Sequence, residues 1–261
     1  MKRAPSASPS PRIAVVGRGR VGRALARSLS ESGLRVTVLS RPLKRGARPG
    51  GPFAAVFFAV PDRAISRAAA AARRAGLCAG CAFHLSGALP AQALRPLGVP
   101  SASFHPLRSF AGKPSERLAG CTVALEGDER AVRIGLRLAR RLGARPWRIT
   151  AAAKPLYHAA ATLAAFGTGA VIAAARRAAV QAGMPGNLAL SALAQLAQEA
   201  AENLEARGIP GGLTGPAVRG DRATVKLHRR ALAGFPELSR MYDAAVGLLR
   251  SGRGDRRGSR P

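Results

Sequence analysis

The sequence predicts an α/β fold, a doubly wound and mainly parallel sheet, with an all-α domain after it. Three observations predict it. Short apolar runs alternate with amphipathic stretches up to about residue 150, a glycine-rich turn follows the first run, and beyond it only long alanine-rich helical patterns remain.

The first apolar run, Ile13–Val16, reads as a buried strand and leads into Gly17-Arg-Gly-Arg-Val-Gly22. An apolar-periodic helix follows from Val21 to about Ser32, with Gly33 as its stop. Leu34–Ser40 and Ala54–Val60 read as the next strands, with a basic loop rich in Gly and Pro between them. A helix over Asp62–Ala75 and a strand over Ala82–Leu85 continue the alternation. Shorter strands are expected at Ser101–Phe104, Cys121–Leu125 and Trp147–Thr150, with a helix over Asp128–Leu142. Pro155–Ala182, Leu188–Arg207, Asp221–Leu232 and Pro236–Leu249 then carry helical patterns and no strand. The expected organisation is a disordered tail over 1–11, a nucleotide-binding domain over 12–150, a helical domain over 151–250 and a second tail over 251–261.

Composition excludes several classes. With 47% hydrophobic residues the chain as a whole cannot be disordered. No uninterrupted apolar run approaches the ~18–20 residues of a membrane span, and the start of the chain lacks the apolar core of a secretory signal. Neither a membrane role nor export is therefore expected, and the location expected is cytoplasmic. Aromatic residues are only 4%, so a core of Ala, Leu and Val is expected. The net charge of +29 invites a nucleic-acid reading. Of 42 basic residues only five are lysine, and arginine pairs such as Arg73/Arg74, Arg140/Arg141 and Arg176/Arg177 are scattered. That pattern resembles a compositional bias spread over every helix rather than a binding stripe with interleaved aromatics. No specific nucleic-acid partner is expected. Cys78 and Cys81 form a CxxC, yet no second ligand pair exists and Cys121 stands apart, so no metal site is expected.

The glycine turn carries the chemistry. Gly17, Gly19 and Gly22 form a G-x-G-x-x-G between a strand and a helix, the context in which the motif holds a dinucleotide diphosphate. The first glycine permits the tight turn, the second lets backbone approach the diphosphate, and the third lets helix and strand pack closely. Arg18, Arg20 and Val21 share the turn, and Val60-Pro61 at the end of the third strand should complete the cofactor wall. An NAD site would place a carboxylate at the end of the second strand for the ribose hydroxyls. Here Ser40-Arg41 stands there, with Lys44 and Arg45 beyond, and a guanidinium suits a 2′-phosphate. NADP(H) is expected ahead of NAD(H).

All four histidines sit beside polar or turn residues: His84 before Leu-Ser86-Gly87, His105 before Pro106, His158 after Tyr157, and His228 after Lys226-Leu. His84 and His105 fall at carboxyl ends of expected strands, where doubly wound folds bind ligands. Lys154 and His158 open the first long helix, where the positive end of the helix dipole eases their deprotonation and suits them to proton transfer. Ser86 is expected beside them. Farther on, Asp221 is a suitable N-cap for a helix that carries Thr224 and His228 on one face. Thr214, Arg219, Asp221 and His228 are candidate substrate-binding residues.

Six segments together resemble a known Rossmann-like family: Gly17–Gly22, Val60-Pro-Asp62, His84–Ala88, Phe104–Leu107, Lys154–Ala161 and Leu213–His228. Its C-terminal half is known only as domain of unknown function 2520, and its architecture is related to pyrroline-5-carboxylate reductases and β-hydroxyacid dehydrogenases. The resemblance implies a nicotinamide-dependent oxidoreductase that forms a homodimer through its helical domain. The β-hydroxyacid dehydrogenases have a catalytic Lys at the start of the interdomain helix and an Asn four residues on. Lys154 matches the Lys, whereas His158 occupies the Asn position, and Phe166 stands where family members tend to have Asn. The expected function is hydride transfer between NADPH and a small carbonyl or imine compound bound between the domains. Lys154 or His158 would be the proton donor, and His84, Ser86 and His105 would line the site. The alternative is a non-catalytic NADP-binding regulator or redox sensor.

Overall fold

The computed structural model describes residues 11–40, 43, 50–209 and 211–251. The expected tails, apart from Pro11 and Ser251, lie outside these residues. So do Arg41, Lys44 and Arg45. The chain divides into two compact units, 1–161 and 162–261.

The first unit is a Rossmann-like seven-stranded sheet in the order β2-β1-β3-β4-β5-β6-β7. The strands are β1 Arg12–Val16, β2 Arg35–Leu39, β3 Ala55–Phe58, β4 Ala82–His84, β5 Ser101–Leu107, β6 Thr122–Gly127 and β7 Arg145–Arg148. Every pairing is parallel except β5 with β6, where Phe104 faces Leu125 and His105 faces Ala124. The doubly wound, mainly parallel sheet matches the expectation. Helices α1 Arg20–Glu31, α2 Ile65–Arg74 and α3 Glu129–Arg141 cover it. Because β1, β3, β4 and β5 run the same way, their carboxyl ends share one edge, and that edge carries Gly17, Ala59, Leu85 and Arg108.

Both faces of the sheet are buried, which is why these strands read as continuous apolar runs rather than alternating ones. On one face Val15, Phe57, Phe83, Phe104 and Leu125 pack under α1 and α3 through Leu25, Leu29 and Val132. On the other, Val16, Val56 and Phe58 pack under α2 through Ile65, Ala69 and Ala72. The buried core is mainly Ala, Leu and Val, as expected. The few phenylalanines are concentrated in its centre, with Phe57 stacked on Phe83 at 4.7 Å and edge-on to Phe104 at 5.3 Å. Cys81 is buried and donates to the Ala54 carbonyl, and burial pushes its thiol up to about 11, so it is unreactive. Among the described residues no three potential ligands are grouped to hold a metal.

The helix α4, Lys154–Thr162, closes the first unit. A π-helical turn, Leu163–Gly167, and α5, Thr168–Gln181, follow it in sequence. The whole stretch Lys154–Gln181 is long and apolar enough, by length and composition, to cross a membrane. Continuous-run counting misses this because Thr162, Gly167, Thr168, Gly169 and the pair Arg176/Arg177 interrupt the apolar residues. The second unit also holds α6 Gly186–Arg207, α7 Pro216–Arg219, α8 Arg222–Ala231 and α9 Pro236–Ser251. None of the 14 residues of α5 is buried, and Ala189 is the only buried residue of α6.

Candidate functional site

The turn after β1 is built as its glycines require. Gly17 has φ +120° and lies so close to β3 that a Cβ there would fall 2.2 Å from the Ala59 carbonyl oxygen. A Cβ on Gly22 would fall 2.5 Å from the Gly17 oxygen, so this glycine lets α1 press onto the turn. Gly19 differs. A Cβ there would meet nothing within 4 Å, so the missing side chain leaves space outside the protein wall. That space opens onto a cavity of about 450 Å³. Its walls are Gly19–Gly22, the strand-end segment Ala59–Asp62, Leu85, Arg108 and Phe110. The free amides at the start of α1 and the side chains of Arg20 and Arg108 make this an anion-favouring surface. It fits a dinucleotide diphosphate.

Of the expected cofactor residues, Gly19, Arg20, Val21, Gly22, Val60 and Pro61 line this cavity. Gly17 shapes the turn behind it. Arg18 is exposed, and its carbonyl accepts from Arg23 at 2.9 Å. Ser40 is exposed just after β2, outside the cavity wall.

Next to Leu85 a polar cluster begins, and α4 aligns it. Lys154, Tyr157 and His158 lie three and four residues apart, on one helix face. Ser103 and His105 lie two apart on β5 and so point to one side of the sheet. One helical turn (about 5.4 Å) and two strand residues (about 6.7 Å) are close in length. Lys154 thus meets Ser103, donating to its Oγ at 2.8 Å, and Tyr157 meets His105 Nδ1 at 2.8 Å. In the register His105 faces Ala124, which faces Trp147. Over that small alanine the Tyr157 ring also reaches Trp147, with centroids 5.6 Å apart.

Lys154 has 0% of its surface exposed and also donates to the Ser86 carbonyl at 3.3 Å. Burial lowers the pKa of its ammonium from the ordinary value, and nearby Glu126 and Asp62 oppose that shift. His84 is fully buried with both ring nitrogens committed: Nε2 lies 3.1 Å from the Pro90 carbonyl, and Nδ1 accepts from Ser86 N–H at 3.2 Å. Only a neutral ring with its proton on Nε2 satisfies both bonds. Burial correspondingly pulls the His84 pKa down to about 4. Ser86 Oγ donates to Asp62 at 2.7 Å and accepts from Leu89 N–H at 3.0 Å. Burial also holds His105 at about 4. His158 Nδ1 is buried with no hydrogen-bond partner, and its ring stands edge-on to His105 at 5.6 Å.

All five expected catalytic residues (Lys154, His158, His84, Ser86 and His105) are thus neighbours in the first unit. Asp62, Gly87, Ser103 and Tyr157 join them and were not assigned a site role from sequence. The spacing of Tyr157 from Lys154, and of Ser103 from His105, was the available signal. In the second unit, Asp221 caps α8, accepting from Thr224 N–H at 2.9 Å and from its hydroxyl at 2.6 Å. His228 Nδ1 lies 2.9 Å from the Tyr242 hydroxyl, while Thr214 and Arg219 are exposed. Phe166 is 74% exposed in the π-helical turn.

Comparison with known proteins agrees with this architecture. Residues 121–247 match the family described as Domain of unknown function (DUF2520). This segment includes Lys154, Tyr157 and His158, as the motif resemblance implies. Among solved structures, protein TM1727 from Thermotoga maritima is 28% identical, with a TM-score of 0.76 over 94% of this chain and 100% of that one. Protein BF3122 from Bacteroides fragilis, provisionally assigned as an NADP oxidoreductase, is 18% identical, with a TM-score of 0.74 over 93% and 99%. A 1-pyrroline-5-carboxylate reductase from Streptococcus pyogenes is 14% identical, with a TM-score of 0.62 over 94% and 100%. The chain therefore shares the fold of these proteins. No curated protein matches the chain by sequence.

Proposed function

We propose that the protein is an NADP-dependent oxidoreductase acting on a small carbonyl or imine compound. The observation that carries this reading is the space in front of Gly19, which opens onto a cavity sharing Leu85 and Asp62 with the histidine cluster. Amides at the start of α1, with Arg20, would hold the diphosphate, and Val60-Pro61 would bound the ribose. Ser40 and Arg41 would meet the 2′-phosphate, which favours NADPH. When bound, the reduced nicotinamide supplies the hydride. Lys154 or His158 would give the proton to the developing alkoxide or amine, and His84, Ser86 and His105 would shape the pocket. Arg219, with Thr214, Asp221 and His228, would recognise a substrate carboxylate or polar group.

The reading includes a homodimer formed through the helical unit. Leu188, Leu190 and Leu196 of α6 are each at least half exposed, as are Leu163 and Phe166. Apolar side chains at such density call for a covering surface, and a second copy supplies one. The test of function is a fluorescence titration with NADPH and NADH, followed by a screen of keto acids and cyclic imines. Saturable NADPH binding with turnover of at least one compound is expected. Binding without any turnover would favour the regulator, and absence of binding would reject both.

A further inference from the structure

Two imidazoles converge on Gly87. A Cβ built there would lie 2.4 Å from His158 Nδ1 and 2.9 Å from His105 Nε2. The backbone of Gly87 is not in the left-handed region, so its missing side chain serves space rather than conformation. The far nitrogen of His105 is already bonded to the Tyr157 hydroxyl at 2.8 Å. His158 Nδ1, buried and without a partner, is the one gap in an otherwise continuous line. A buried ring nitrogen left unpaired is costly, so a nearby donor has a strong claim on it. Tyr157 is itself only partly buried and contacts Trp147, which is 49% exposed, so this end of the line lies near solvent.

We propose that Tyr157, His105 and His158 form a proton wire, with Gly87 leaving the room in which the two rings meet. The proposal rests on the reductase reading for its direction. Tyr157 O–H donates to His105 Nδ1, which fixes the His105 proton on Nε2. In the wire that N–H donates to His158 Nδ1, and the proton of His158 then resides on Nε2, the nitrogen that serves the substrate. As the substrate carbon accepts hydride from NADPH, its oxygen or nitrogen takes the Nε2 proton of His158. His158 Nδ1 takes a proton from His105 Nε2, and His105 Nδ1 takes one from Tyr157. Both rings exchange tautomers and stay neutral. Tyr157 takes a proton from solvent as it gives its own to His105, so no phenolate forms and one proton is consumed from solvent for each hydride. A neutral relay suits this setting, since burial disfavours imidazolium at His105 and phenolate at Tyr157. The charged or titratable groups around the pair are Lys154, Asp62 and His84. Lys154, held by Ser86 and Ser103, positions the loop carrying Gly87 rather than the wire itself.

The test is 15N NMR of the full-length protein labelled at histidine, with no ligand added. The wire predicts protons on Nε2 of both His105 and His158, with His158 Nδ1 an unprotonated acceptor. Tyr157→Phe should shift the His158 signals as well as those of His105, and Gly87→Ala should separate the two rings. In turnover, Tyr157→Phe should lower kcat about 10- to 100-fold with NADPH affinity unchanged. His158 signals indifferent to Tyr157→Phe, or a His158 proton residing on Nδ1, would overturn the wire. The NMR measurement is independent of NADPH binding, which alone decides the reductase reading.

Discussion

Replacing Gly19 by Ala separates the folding role of the glycine turn from its binding role. Gly19 has φ −67° and ψ 179°, which alanine adopts without strain, and the new methyl group meets no protein atom within 4 Å. Two small effects oppose each other: alanine is a poorer N-cap than glycine, while it stiffens the unfolded chain. Stability should therefore change by less than about 1 kcal/mol. The methyl group projects into the space where the diphosphate would approach the backbone. Forfeiting one or two charge-assisted hydrogen bonds costs about 3 kcal/mol, close to a 100-fold rise in Kd for NADPH. Gly22→Ala behaves oppositely, because its Cβ would sit 2.5 Å from the Gly17 oxygen and 3.0 Å from the Ala59 Cβ. Overpacking of that kind costs about 1–3 kcal/mol. Trp147, the only tryptophan, lies in β7 of the same unit and reports its unfolding. NADPH fluorescence reports binding. If Gly19→Ala bound NADPH as tightly as the parent, the diphosphate would not approach this turn.

Other outcomes follow from the same geometry. The His84 pKa is about 4 in the fold against an ordinary 6.5, so the unfolded chain takes up a proton that the native protein refuses. Its contribution is intact above pH 6.5 and is lost as pH falls from 6.5 to 4, by about 3 kcal/mol in all. His84→Gln should flatten that limb of the unfolding free energy against pH, and an unchanged slope would refute the neutral buried ring. Lys154→Met should leave NADPH affinity intact and remove turnover; if activity persists, the buried ammonium is dispensable. Light scattering should give twice the 26.9 kDa chain mass, and Leu188→Glu with Leu196→Glu should return it to one chain. A parent protein of single-chain mass would contradict the helical interface.

The strands were legible because a sheet buried on both faces needs uninterrupted apolar runs, and Ile13–Val16 and Ala55–Phe58 are such runs. The glycine turn was legible because its spacing encodes contacts within a few residues. His84 was legible from the strand end it occupies, whereas His105 falls inside β5, which runs two residues beyond it to Leu107. What stayed hidden depends on pairings far apart in sequence. Tyr157 meets His105 across 52 positions, and Lys154 meets Ser103 across 51, through the match of one helical turn to two strand residues. Asp62 reads locally as a helix-start residue, and its bond to Ser86 depends on β3 lying beside β4. The antiparallel turn of the sheet at β5 and β6 was hidden likewise, because buried strands read alike in either direction. The exposure of α5 and α6 reverses what their apolar composition suggests for one chain alone.

Titration of the purified protein with NADPH, read by nicotinamide fluorescence, addresses the central claim most directly. The account predicts saturable uptake, tighter for NADPH than for NADH and about 100-fold weaker in Gly19→Ala. A featureless titration with both nucleotides would contradict it.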